Sequence, residues 1–227
     1  VDREELKIEY LTLNIEQVVR TDGMAAKRRE SKPMKVIAFN GSPRKGGNTS
    51  ILIDHVCEAI KAQSIGTEVF QIGGTNIRGC RACYRCFDKK DRRCVFADDV
   101  ANECIAKMEE ADGIILASPT YVSDVTPEIK CLIDRACLVG KANEGMFKRK
   151  VGAGVVAVRR GGEIHAFDTL NHFFLILEMI VPGSIYWNMG FGREKGEVAG
   201  DKEGIQTMKL LGENMAWLMK KINSNPA

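Results

Sequence analysis

Four cysteines, Cys80, Cys83, Cys86 and Cys94, fall within fifteen residues in the pattern C-x2-C-x2-C-x7-C. Three thiolates spaced two residues apart can wrap one corner of an iron-sulfur cubane, and a fourth, a short loop away, can close it. The x7 gap is longer than the x3 spacing of bacterial ferredoxins, and no proline follows Cys94. A structural zinc site more often pairs two separated C-x2-C knuckles. A loop without metal would keep the same thiols as redox groups or small buried side chains. The opening VDREELKIEY is charged and has no apolar signal core, so a cytoplasmic protein is expected. In that reducing setting eight cysteines do not read as a disulfide framework, and the clustered four point to metal or redox chemistry. Six cations (Arg81, Arg85, Lys89, Lys90, Arg92 and Arg93) face only Asp88 and Asp91 here. They would favour the reduced, more negative state of a cluster, or are simply solvated.

The second stretch with chemistry in it is NGSPRKGGNTS, residues 40–50. Backbone N–H groups, hydroxyls and an arginine at a helix N-terminus suit a phosphate through dipole and hydrogen bonding together. Gly41 and Gly46 have Walker A spacing, but Gly47-Asn48 stand where Lys-Ser/Thr belongs, and the stretch is not G-x-G-x-x-G either. ATP and dinucleotide readings weaken accordingly. An ordinary glycine turn before a helix capped by Asn48 is the plain alternative.

The elements that must position these stretches follow from periodicity. Strands are predicted at 35–40, 67–72, 113–118, 151–158 and 183–187, and helices at about 49–64, 99–110, 127–139, 163–179 and 203–222. Such alternation argues for an α/β fold, an open doubly wound sheet of five parallel strands with helices on both faces. Ligands of such sheets bind at the carboxyl ends of the strands. One main domain is expected over 34–227, with the cysteine loop inserted at 78–98. Residues 1–33 read as a leader of β-like alternation and polar linker, either an arm gripping a neighbouring subunit or a disordered tail.

Composition excludes several classes. The formal charge of +3 is spread without like-charge blocks, so no nucleic-acid groove or polybasic membrane anchor is indicated. The apolar runs fall short of the roughly 20 residues of a bilayer span. The run FFLILEMI from Phe173 would be buried on more than one side, which predicts a subunit interface. Cys57, Cys104, Cys131 and Cys137 lie on predicted helices and read as small buried hydrophobes outside the cysteine loop's chemistry. His165 and His172 lack a companion motif and read as core or interface packing residues, His55 as a surface one; Asp98 or Asp99 reads as a helix cap.

KVIAFNGSPRKGGNTSIL, ADGIILASPTYVSDVTPEIKCLIDR and the cysteine loop between them resemble the flavodoxin-like NADPH-dependent FMN reductase family, and the cysteines are similar to its iron-sulfur flavoprotein branch. The resemblance covers residues 34–222. It implies FMN, with Ser42, Arg44, Asn48, Thr49 and Ser50 at the phosphate, and Pro119, Thr120, Tyr121 and Val122 along the isoalloxazine. The loop with Arg159, Gly161 and Gly162 would form the third wall, although RRGG is more basic than the small-residue loop expected there. It also implies a [4Fe-4S] cluster on Cys80, Cys83, Cys86 and Cys94, and a homodimer or homotetramer.

The activity so implied is electron transfer from a reduced carrier such as ferredoxin, through the cluster to FMN, and on to a small-molecule acceptor, with the cofactors carrying the chemistry. No side chain is named as catalytic; Tyr121 could shape the face on which an acceptor stacks. Two alternatives stay open. One is a cluster-free reductase in which NAD(P)H gives hydride to FMN for quinones, nitro compounds or free flavin. The other is a non-enzymatic redox sensor that uses the cysteine loop as a switch.

Overall fold

Short apolar runs closed by glycine or polar turns become five strands: β1 (Lys35–Asn40), β2 (Gly66–Gln71), β3 (Gly113–Pro119), β4 (Val151–Val158) and β5 (Met189–Phe191). The computed structural model describes residues 33–224, and the leader with its expected arm lies outside them. Pro33–Met219 forms one compact unit. All strand pairs are parallel, in the order β2-β1-β3-β4-β5. This is the flavodoxin-like doubly wound order, whose strand sequence reverses beside β1. β3 and β4 are buried along almost their whole length, as continuous apolar runs of central strands should be. β2, at the edge, has no fully buried residue: Gly66 and Val69 are exposed and the other four half-buried.

The helices are α1 (Asn48–Lys61), α2 (Arg85–Lys89), α3 (Ala101–Glu110), α4 (Pro127–Ala142), α5 (Glu163–Ile176) and α6 (Lys202–Ser224). Side chains alternate across the strands, so Ile37, Phe39, Ile114 and Leu116 pack into one core with α3, α4 and α5. α1 and α6 cover the other face and approach closely, since a Cβ on Gly212 would stand 2.5 Å from the Val56 carbonyl oxygen. Both faces are thus covered. None of the described helices is long and apolar enough to cross a membrane.

Three expectations need correction. The fifth strand is β5 at Met189–Phe191 rather than 183–187. Ser184 Oγ donates to the Tyr186 carbonyl at 2.5 Å and turns the chain there, and sheet pairing resumes only where the Asn188 carbonyl accepts from Val156 N–H. Second, α5 stops at Ile176, because Glu178 takes a left-handed φ of 57°. Met179 N–H then returns to the Phe174 carbonyl and Glu178 N–H to that of Leu175, the paired bonds of a Schellman stop. The run FFLILEMI is consequently split: Phe173, Phe174 and Leu177 enter the core while Leu175, Ile176 and Ile180 remain exposed. Third, His165 and His172 are both exposed on α5, which removes the core half of their expected core or interface packing.

The glycines of β4 let α5 lie against the sheet. A Cβ on Gly152 would meet the Phe174 ring at 2.5 Å. Gly152→Ala should therefore cost about 1–3 kcal/mol through overpacking, whereas Gly200→Ala, with nothing within 4 Å, should be neutral. Urea unfolding of the two variants checks this; equal midpoints would contradict the packing.

Candidate functional site

At the carboxyl end of the sheet the loop after β1 is held from below by a polar network. Asn40 Nδ2 donates to Ser50 Oγ (3.0 Å) and Gln71 Oε1 (3.1 Å), while Gln71 Nε2 donates to the carbonyls of Ser42 (2.6 Å) and Gly73 (3.0 Å). Gly41 has no room for a side chain, because a Cβ would lie 2.3 Å from Ile129 and 2.9 Å from the Ala117 carbonyl. The helix α1 begins at Asn48 behind an extended Gly47, and its first intrahelical bond is Ile51 N–H to the Gly47 carbonyl. The N–H groups of the first turn are left free for an anion.

These groups open on a cleft of about 380 Å³ lined by Ser42, Arg44, Asn48 and Thr49 on one side and by Pro119, Thr120, Tyr121, Ala157 and Arg159 on the others. That volume lies within the roughly 300–1,000 Å³ of small-molecule sites. A fourth wall, absent from the sequence expectation, comes from Gly192, Arg193, Glu194 and Lys195, just beyond β5. The basic run GREK carries its signal in the sequence, but a strand at 183–187 leaves that run away from the sheet's edge, and only β5 at Met189–Phe191 puts it at a strand's carboxyl end.

Asn48 explains how that wall is fixed. Its Nδ2 donates to the carbonyls of Gly192 and Glu194, both at 2.9 Å, and its Oδ1 accepts from Gly196 N–H (2.9 Å) and Val198 N–H (3.4 Å). Asn48 is thus a strut between the first loop and the last, with its side chain committed to backbone groups, and Gly47 rather than Asn48 holds the N-cap position. Glu197 Oε2 accepts from the N–H groups of Glu194 and Arg193 at 2.7 Å each, and these bonds hold its carboxyl below the usual range. Arg193 Nε pairs with Glu194 at 3.2 Å.

Of the other expected residues, Ser50, Val122, Gly161 and Gly162 stand outside the lining. The Ser50 hydroxyl accepts from Asn40. Val122 and Ser123, at φ 49° and 63°, form a tight turn closed by reciprocal backbone bonds between Tyr121 and Asp124, and Val122 projects wholly into solvent. Gly162, at φ 86°, lies where a Cβ would meet Ser123 at 2.5 Å, so it lets the third loop pack on this turn. Gly161 meets nothing within 4 Å.

The four loop cysteines line a second, small cavity with Arg81, Tyr84, Phe96, Arg135, Leu138 and Val139 among its other walls. Cys80 and Cys83 are exposed, Cys86 and Cys94 half-buried, and all are free thiols. Among the described residues no three His, Cys, Asp or Glu stand at metal-holding geometry, so the sulfurs share a cavity without converging. The donor set nevertheless fits an anionic cluster. Ala82 and Tyr84, between the cysteines, adopt left-handed φ of 47° and 55°, as in backbone nests that turn N–H groups toward an anion. Ala82 N–H already donates to Cys80 Sγ at 3.4 Å. Asn102 fixes Cys94, accepting from its N–H at 2.8 Å and donating to its carbonyl at 2.9 Å. Burial pushes the Cys86 thiol up, and Cys80 and Cys94 add to the shift.

The remaining cysteines stay outside that lining. Burial raises Cys57 to about 11 and Cys104 to about 12, which leaves both thiols inert. Cys131 and Cys137, on α4, are half-buried and also raised by burial. Asp99 Oδ1 accepts from Ala101 N–H at the head of α3, and its Oδ2 pairs with Arg135. Burial would push the Asp99 carboxyl up, but hydrogen bonds from Arg78 and Ala101 N–H, together with the Arg135 guanidinium, hold it below the usual carboxylate range.

Asn48→Ala removes the strut without changing any charge of the cleft. If FMN fills the cleft as the resemblance implies, its affinity should fall roughly tenfold, the effect of about 1.4 kcal/mol, with riboflavin affinity unchanged because it lacks the phosphate. Titration of both ligands by flavin fluorescence reads the difference; unchanged FMN affinity would contradict the strut.

Comparison with known proteins gives the family. The family model for NADPH-dependent FMN reductase matches residues 34–194. An iron-sulfur flavoprotein of Methanocaldococcus jannaschii is 36% identical over 196 residues, covering 83% of this chain and 99% of its own. The iron-sulfur flavoprotein of Methanosarcina thermophila is 33% identical over 195 residues, covering 85% and 98%. Among solved structures, the flavodoxin, WrbA-like protein of Agrobacterium tumefaciens superposes at a TM-score of 0.59 with 14% identity, over 84% of this chain and 99% of that one. RosB, solved with a bound 8-demethyl-8-formylriboflavin-5'-phosphate intermediate, reaches 0.65 with 18% identity over 86% and 82%. The structural likenesses show the flavodoxin-like fold. Sequence and fold together place the chain in the NADPH-dependent FMN reductase family, in its iron-sulfur flavoprotein branch.

Proposed function

We propose that this FMN-dependent oxidoreductase holds FMN in the cleft and a [4Fe-4S] cluster on Cys80, Cys83, Cys86 and Cys94, and passes electrons between a reduced carrier such as ferredoxin and a small acceptor. The observation that carries this reading is the cavity shared by the four thiols on a chain that also has the phosphate cleft. When bound, FMN can take up two electrons and release them singly, and an iron-sulfur cluster exchanges one electron at a time.

The chain's own residues bind and orient. The free N–H groups of α1, the hydroxyls of Ser42 and Thr49 and the guanidinium of Arg44 suit a compact phosphate dianion. Pro119, Thr120 and Ala157 offer a wall for the ring system, and Tyr121, 43% exposed, offers an acceptor a stacking face. Glu194 is the one carboxylate in the lining and pairs with Arg193 at 3.2 Å. The exposed Leu175, Ile176, Ile185, Tyr186 and Trp187 support the expected homodimer or homotetramer.

A second reading, direct reduction by NAD(P)H, is favoured by one observation: Arg159, Arg193 and Lys195 line the cleft in addition to Arg44, more cations than one phosphate needs. Cys83→Ser separates the two. In anaerobically prepared full-length chain it should lower iron content and ferredoxin-driven reduction of the flavin by roughly tenfold or more, with bound FMN unchanged. Full iron in the variant would contradict the cysteine assignment, and wild-type flavin reduced quickly by NADPH alone would favour the second reading.

A further inference from the structure

One buried side chain spans both ends of the cysteine loop. Arg135 of α4, 2% exposed, lines the cavity of the four thiols. Its Nη1 donates to Asp99 Oδ2 and to the carbonyl of Arg78 at 3.4 Å, and its Nη2 donates to the carbonyl of Phe96 at 2.6 Å. Arg78 precedes Cys80 by two residues, and Phe96 follows Cys94 by two. The planar fork therefore ties the entry and the exit of the cysteine segment to one helix. Asp99 reinforces the entry by accepting from Arg78 N–H at 3.0 Å. Arg81 stacks on the Phe96 ring 4.3 Å from its centroid, a further link between the two ends.

The fork leaves one position unused. Arg135 Nε is buried and has no hydrogen-bond partner among the described residues. A buried N–H without an acceptor is costly, and arginine keeps its charge wherever it is placed. Cys80, Cys83, Cys86 and Cys94 share the cavity it lines and carry sulfurs that can accept.

We propose that Arg135 is a positioning residue of the cysteine site: its fork clamps both ends of the loop, and its Nε–H is the hydrogen-bond donor to a cysteine sulfur when the cluster is held. The sulfur half rests on the four-cysteine reading above; the clamp half does not. A hydrogen bond to sulfur favours the reduced, more negative state, and Arg135 also offsets the buried Asp99 carboxylate that would otherwise oppose it. Arg135 consequently raises the reduction potential of the site.

Arg135→Lys keeps the charge and removes both the fork and Nε. In the full chain stripped of iron, trypsin cleavage after Lys89, Lys90, Arg92 and Arg93, all exposed in the loop, should be roughly tenfold faster in the variant. After anaerobic reconstitution its midpoint potential should lie below that of the wild type, with bound flavin and circular dichroism unchanged. Arg135→Gln, which loses the charge as well, should lower the potential further. Faster cleavage with an unchanged potential in both variants would overturn the sulfur donor, and unchanged cleavage would overturn the clamp. Wild-type chain that binds no iron on reconstitution would instead overturn the four-cysteine reading and the sulfur donor with it, while the cleavage rates still judge the clamp. Iron in the wild type with no change in either variant would overturn the inference alone.

Discussion

The free N–H groups at the head of α1 can hold an anion only while the loops around them are fixed. That requirement organises the carboxyl edge of the sheet. Gly41 brings the backbone down onto the Ala117 carbonyl, Gln71 ties the loop from below, and Asn48 ties it across to residues 192–198. None of these groups needs to touch a ligand. Their role is to keep donors in place before binding, so that little ordering has to be completed when the ligand arrives.

The cysteine loop solves the same problem with less regular structure. Only the short α2 is helical within it, and it is flanked by left-handed Tyr84 and Lys90. Its anchors are side chains from the neighbouring helices: Asn102 on Cys94, Asn143 on the Arg92 N–H, and Arg135 with Asp99 at the base. Charge acts differently in its two settings. The loop's own six cations are exposed, with Arg92 paired to Glu109 and Arg81 stacked on Phe96, so salt screens them. Arg135 is buried beside the thiols, where a charge has more influence on a redox centre.

Much of this was legible in the sequence because it depends on local spacing. The runs KVIAFN and VGAGVVAV end where β1 and β4 end, the glycine-rich loop sits before α1, and the C-x2-C-x2-C-x7-C residues share one cavity. What escaped was set by long-range contacts. GSIYW has good strand residues, yet its neighbour β4 bonds to Asn188 and leaves Tyr186 and Trp187 exposed. Asn48 reads as a cap until residues 192–198, more than 140 positions away in the chain, are placed against it. Arg135 looks like one more polar residue on an amphipathic helix, and only the fold puts it between Arg78 and Phe96.

The most direct test of the central claim is to assay iron, acid-labile sulfide and flavin on a single sample of the full chain prepared without oxygen. The account predicts one FMN with about four irons and four sulfides per chain, the content of a cubane held by four cysteines. Flavin without iron or sulfide would contradict it, leaving the cleft but removing the cluster from the cysteine loop.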